Sequence, residues 1–121
     1  VANGLASGVN TMTVTDLDAQ SGTWTAAQVV TGLLVHTSVT GAGVVTTDTA
    51  ANLIANASLG LRQDNDTCQA FYVNDGTQSV TFAGGTDVTI ADAGVAVVAD
   101  EAATVLFRRT AATTVTVYVI G

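Results

Sequence analysis

Apolar and polar residues alternate with a period of two over much of this chain. Residues 114–120 place Val115, Val117 and Val119 on one side and Thr114, Thr116 and Tyr118 on the other. That is the pattern of a strand with one face in a core. Residues 11–17 form a similar run, in which Met12, Val14 and Asp16 share a face. Residues 28–37 are more continuously apolar, through Val29, Val30, Leu33, Leu34 and Val35. This predicts a central strand covered on both sides, with Gly32 marking a bulge. Residues 39–47 make a weaker strand, broken by Gly41 and Gly43.

Residues 67–73 and 78–82 flank Asn74-Asp75-Gly76-Thr77, and Asp-Gly suits a hairpin turn that needs positive φ. Phe71 and Val73 share one face of the first arm, Val80 and Phe82 one face of the second. Further strands are predicted at residues 87–90, 95–99 and 104–109.

One segment has helical spacing. Asp48 stands as an N-cap ahead of Ala50, Leu53, Ile54 and Ala57, at i, i+3, i+4 and i+7, and Gly60 follows where a left-handed residue ends a helix. A short helix is expected near residues 49–58, with Leu53 and Ile54 against a sheet. The sum is an all-β fold, a two-sheet β-sandwich with jelly-roll topology as the leading expectation. Residues 1–10 are expected to form an N-terminal arm and residues 11–121 a single sandwich domain. No internal repeat of fixed period is evident, which argues against a solenoid.

Composition narrows the function classes. The 121 residues are 48% apolar but only 11% charged, against about 25% charged in an average soluble domain. There is no Lys and no Pro, and the cations are Arg62, Arg108 and Arg109 against ten acids, for a net charge of −7. Such a balance excludes nucleic acid as an expected partner, since phosphate binding depends on basic side chains. It disfavours anionic lipid equally, and no apolar stretch is long enough to span a bilayer. The first residues carry neither a basic n-region nor an apolar h-region. The lack of Lys and Pro bears on strand edges too, because β-proteins commonly protect edges with those residues. Edges and one Thr-, Ala-, Ser- and Gln-rich face are therefore expected to be covered by copies of the chain or by a scaffold.

Residues capable of chemistry are few. His36 is the only histidine and sits in an apolar strand, with no nucleophile motif around any Ser, so no catalytic residues are expected. Cys68 is the only cysteine and has no cation beside it in sequence; a buried small hydrophobe is the expected role. One Cys and one His make no closed zinc site. Asp64 and Asp66, like Asp16 and Asp18, place carboxylates two residues apart but do not continue into an EF-hand loop. Asp64 and Asp66 are the calcium candidates, with solvated turns the alternative; no cofactor is expected. Trp24 is expected as a core or interface anchor in preference to a ligand-stacking platform. Arg108 and Arg109 should point to opposite faces of a strand, either solvated or paired with an Asp. With Tyr118 they complete the interface candidates.

Several motifs fall in a recurring order. Thr47-x-Thr49-Ala50-Ala51 opens the helix, and Asp66-Thr67-x-x-Ala70-Phe71-x-Val73-Asn74-x-Gly76 follows. Val80-Thr81-Phe82-Ala83-Gly84-Gly85-x-x-Val88-Thr89, Ala103-Thr104-Val105-x-Phe107-Arg108 and Val115-x-Val117-Tyr118 complete it. This order, over about the last two thirds of the chain, resembles small Thr/Gly-rich β-domain virion structural proteins of tailed phages and related viruses. These occur as capsid decoration proteins or in head-fibre and tail-associated modules. Members often carry a Pro at the start of the helix, which this chain lacks. The resemblance implies a capsid decoration (cement) subunit on the virion surface. It would be a homo-oligomer, with a trimer favoured, bound to the major capsid protein or another scaffold without catalysis. Two alternatives stand beside it. One is a fibre or receptor-binding module, with Trp24 and Asp-rich loops on a host glycan. The other is a self-assembling bacterial surface or filament protein, an extracellular assembly in which edge strands complete their neighbours.

Overall fold

A computed structural model describes residues 12–92 and 94–121 of the chain; the expected arm at residues 1–10 lies outside them. The chain winds between two sheets. Strands β1 (Thr13–Asp18), β3 (Gly32–Thr37) and β5 (Thr67–Asn74) lie side by side and parallel in one sheet. Strands β2 (Gly22–Trp24), β4 (Gly43–Thr47) and β6 (Val80–Ala83) do the same in the other. Three rungs of a coil are thereby stacked. Short turns join the sheets at one end, and helices α1 (Ala26–Thr31) and α2 (Ala50–Ala55) occupy the crossovers at the other.

Four later strands complete the sheets. β9 (Ala102–Ala111) pairs antiparallel with β5, β10 (Thr114–Ile120) antiparallel with β9, and β7 (Val88–Ile90) parallel with β10. β8 (Ala96–Val97) closes the smaller sheet against β6. The orders are β1-β3-β5-β9-β10-β7 and β2-β4-β6-β8.

The two-sheet β architecture is as expected; the connectivity is not. A jelly roll is built of antiparallel Greek keys, whereas the first six strands pair in parallel. The rungs escape a search for a fixed period because their lengths differ greatly: Thr13 lies opposite Gly32, but Leu33 lies opposite Phe71.

Two further corrections follow from local chemistry. The segment expected as one continuous strand begins as α1. Thr25 and Gln28 form a capping box, Thr25 Oγ1 accepting from Gln28 N at 3.3 Å and Gln28 Oε1 from Thr25 N at 3.0 Å. Gly32, with φ of 94°, ends the helix and starts β3; it is a helix stop, not a bulge. The expected hairpin is a corner between sheets, since β5 and β6 belong to different ones. Asn74 is wholly buried there. Its amide donates to Gln78 O and Val97 O, both at 2.8 Å, and its Oδ1 accepts from Gly76 N at 3.1 Å. A Cβ on Gly76 would lie 2.4 Å from that of Val39, so the corner tolerates no side chain there.

The helix expected near 49–58 is present in two pieces, α2 and a 3-10 turn at Ala57–Leu59 ending on Gly60 with φ of 71°. Leu53 is buried as expected, whereas Ala57 is exposed because α2 has already ended. Thr49, not Asp48, is the N-cap. Asp48 does more. Its carboxylate accepts from Ala26 N (2.8 Å), Thr49 N (2.7 Å) and Asn52 Nδ2 (2.8 Å), tying the first turns of α1 and α2 together.

The core between the sheets is aromatic at its centre. Trp24 meets Phe107 edge to face at 5.8 Å, and Tyr72 meets Phe82 likewise at 4.9 Å. Val45, Val80, Val105, Val115 and Val117 surround them, while Ala26, Val29, Ala50, Leu53 and Leu61 extend the core beneath the helices.

Candidate functional site

Most residues with chemical potential are committed to the interior. His36 is fully buried; its Nε2 lies 2.6 Å from Ala19 O and its Nδ1 2.7 Å from Tyr72 Oη. A carbonyl only accepts, so Nε2 carries the proton and Nδ1 accepts from the Tyr72 hydroxyl. With both ring nitrogens occupied, His36 is a structural cross-link and not a base facing solvent. Burial pushes the Tyr72 phenol well above its usual range, which keeps it a donor. Burial likewise raises the Cys68 thiol to about 11, consistent with an unreactive packing role.

Trp24 is also fully buried, so it belongs to the core and is not a surface interface anchor. Its indole Nε1 has no hydrogen-bond partner. Asp66 Oδ2 accepts from the backbone N–H of Arg62 and Gln63 at 2.9 and 3.0 Å, a turn-stabilising role. Asp64 is exposed. Among the described residues no group of three His, Cys, Asp or Glu is placed to hold a metal, and no helix is long and apolar enough to cross a membrane.

The arginines also bond differently from the Asp pairing considered. Arg108 donates from Nε and Nη2 to Asn65 Oδ1 at 3.1 and 2.7 Å, and from Nη1 to Tyr118 Oη at 2.9 Å. Arg109 donates to the carbonyls of Leu61, Ala111 and Ala112, each at 3.2 Å, tying the β9–β10 turn to the loop before β5.

No protein-family model, curated protein or solved structure matches this chain. Its own surface is therefore the guide, and the two sheets present different surfaces to the outside. On the four-stranded sheet the outward residues are Thr23, Val44, Thr46, Thr81, Ala83 and Ala96, alternating with buried Trp24, Val45, Val80, Phe82 and Val97. On the six-stranded sheet three neighbouring strands carry uninterrupted apolar runs: Leu33-Leu34-Val35, Phe71-Tyr72-Val73 and Val105-Leu106-Phe107. Leu34, Tyr72, Val105 and Phe107 point into the core, leaving Leu33, Val35, Phe71, Val73 and Leu106 half-buried on the outer side.

Register aligns these into rows. Val14, Leu33, Phe71, Thr104 and Ile120 cross five strands, and Asp16, Val35, Val73 and Ala102 lie in the next row. Val14 and Ile120, at the ends of the first row, are 56% and 54% exposed. The side of β1 shared by Met12, Val14 and Asp16 faces outward, and Thr15 and Leu17 face in. Both helices lie on the crossovers at the strand ends, and the described residues place no layer over this face. Tyr118 and Arg108, interface candidates read from the sequence, border this face, and the residues at its centre were not among those candidates. The signal was present, because residues 33–35 read as covered on both sides, and the described residues cover one.

A smaller feature lies where β8 meets the end of β10. It is a shallow cavity of about 230 Å³ lined by Val95, Val97, Val98, Val119 and the carboxylate-bearing Glu101, among others. It lies at the end of the strands opposite the arginines and brings no reactive groups together.

Proposed function

We propose that this chain is a structural subunit that adds to the surface of a larger assembly, of the capsid decoration type, and binds through the outer face of its six-stranded sheet. The observation that carries this reading is the set of apolar runs on β3, β5 and β9. Strands apolar on both faces belong to sheets covered on both sides, and contiguous apolar area of this extent on a surface marks an interaction site. Half-buried Leu, Val and Phe side chains on a paired sheet contribute contact area with little further ordering, since the backbone beneath them is already fixed. A partner needs only a complementary apolar surface. No catalytic step enters the proposal.

The fibre alternative had relied on Trp24 as a glycan platform, and a buried Trp24 leaves it without that residue. The test is direct. The chain should co-purify with virions of the virus that encodes it, and particles stripped of it should rebind the purified chain. Phe71→Glu should abolish rebinding while the subunit stays folded. Absence from purified particles would overturn the capsid reading.

A further inference from the structure

The geometry points to a second copy of this chain as an occupant of the outer face of the six-stranded sheet, joined across a two-fold axis that sets the Asp16–Asp18 corner of each copy against Arg108 of the other. This rests on the reading of that face as a contact surface and names what fills it: the contact made there within the larger assembly is between copies of this chain.

Three observations carry it. The first is area. Six strands about 4.8 Å apart and about six residues long, at roughly 3.3 Å per residue, span about 600 Å² in projection. Side-chain relief brings this toward the roughly 800 Å² per partner of a stable interface.

The second is the separation of charge. All three arginines lie at the helix end of the strands, on the loop before β5 and at the end of β9, an end they share with Asp64, Asp66 and Asp87. Asp16, Asp18, Asp75, Asp100 and Glu101 gather at the turn end, where Asn74 N donates to Glu101 O and Asp75 N to His36 O. On the outer face this sets the carboxylates of Asp16 and Asp18 at one corner and the single guanidinium of Arg108 at the other. Asp16 and Asp18 flank Thr37, whose Oγ1 lies 3.2 and 3.4 Å from their carboxylates. Hydroxyls alone therefore meet these two carboxylates among the described side chains. Arg108, on the same face, is held by Asn65 and Tyr118, which are neutral groups. Among the described residues the face therefore holds Asp16, Asp18 and Arg108 without an ion-pair partner around an apolar centre, so it is complementary to itself.

The third is position. Asp16 lies in register with Ala102 of β9, and Arg108 lies farther along that strand at its opposite end. The diagonal joining the two corners passes beside Leu33 and Phe71. A two-fold axis lying in the face and perpendicular to this diagonal exchanges the corners and brings the two Phe71 side chains near one another. The sheets then cross at roughly 70°, near the orthogonal class of sheet packing. A single self-complementary patch of this kind closes as an isologous pair.

The test is the mass of the full chain by sedimentation velocity at micromolar concentration. The salt should be about 0.15 M, where the mutual repulsion of two −7 subunits is screened beyond about 8 Å. A dimer is expected. Phe71→Glu should weaken it by roughly 30-fold or more. Asp16→Arg and Arg108→Asp should each weaken it by roughly tenfold, and the D16R/R108D pair should recover most of the loss. Thermal melting checks that each variant is folded; should Arg108→Asp unfold the subunit, Asp16→Arg and Asp18→Arg carry the charge test. A monomer, a trimer, or a dimer indifferent to Phe71→Glu overturns the inference. A monomer that still rebinds stripped particles through Phe71 would sink the self-pairing alone, whereas a dimer absent from particles would sink only the capsid reading.

Discussion

The outward faces of the two sheets are built from the same β-branched vocabulary and end in different surfaces. On the four-stranded sheet Val80-Thr81-Phe82-Ala83 alternates cleanly, and the outer side carries Thr and Ala with Val44 as its one large apolar residue among the described strands. On the six-stranded sheet Leu33, Phe71 and Leu106 stand outward beside equally apolar inward neighbours. A strand buried on one side needs only every second residue to be apolar, whereas one buried on both needs nearly all of them. Under the proposed function the two sheets meet different surroundings, although both contribute to the core between them. Small hydroxyl-bearing side chains suit a face that stays in water, and large apolar ones suit a face that leaves it.

The largest effect should fall on what the sheets share. Trp24→Ala removes the ring that both sheets pack around and should cost about 3–5 kcal/mol in chemical denaturation. The orphaned indole N–H offsets part of that loss, since an unpaired buried donor costs about 1–3 kcal/mol. A loss below about 1 kcal/mol would mean that the sheets do not share one core.

A paired substitution sharpens the contrast next. Leu106→Glu and Thr81→Glu each put a carboxylate on an outer face, and both should change subunit stability by less than about 1 kcal/mol. Association, followed by sedimentation, should be lost only for Leu106→Glu. Equal effects on association would erase the distinction between the faces.

A smaller effect concerns the crossovers. Burial would raise the Asp48 carboxyl, but the bonds from Ala26 N, Asn52 Nδ2 and Thr49 N outweigh it and hold the pKa below the usual 3.8. A pKa lowered by folding contributes stability above the unfolded value and loses it as pH falls through the folded one. Asp48→Asn should therefore cost about 1 kcal/mol at pH 7, as lost caps do, and the gap should close on acidification below about pH 4. A gap unchanged at pH 2 would contradict the cross-linking role.

The smallest is kinetic. With its thiol raised to about 11 by burial, Cys68 should be alkylated at pH 8 far more slowly in the native chain than in urea. Equal rates would place it outside the core margin.

Much of the local order could be read in the residues. The alternation of β10, the helical spacing of Ala50, Leu53 and Ile54 and the stop at Gly60 each follow from side-chain chemistry within a few positions. Residues 26–31 were misread for a reason of the same kind. Val29, Val30 and Thr31 favour strands by intrinsic preference, and a Thr25–Gln28 capping box with a left-handed Gly32 overrides it. The outer-face site was half visible, in apolar runs whose missing cover could not be known before the strands were placed.

What the sequence determined by itself is the β character, the two-sided apolarity of the central strands and the scarcity of charge, because these depend on the residues alone. Which strands became neighbours, and hence that a suspected hairpin is a corner and that Trp24 lies inside, was decided only by the tertiary structure. Pairing between residues as distant as Leu33 and Phe71 is selected by the whole core at once. A period-two pattern says that a strand has an inner face, but not which strand lies beside it.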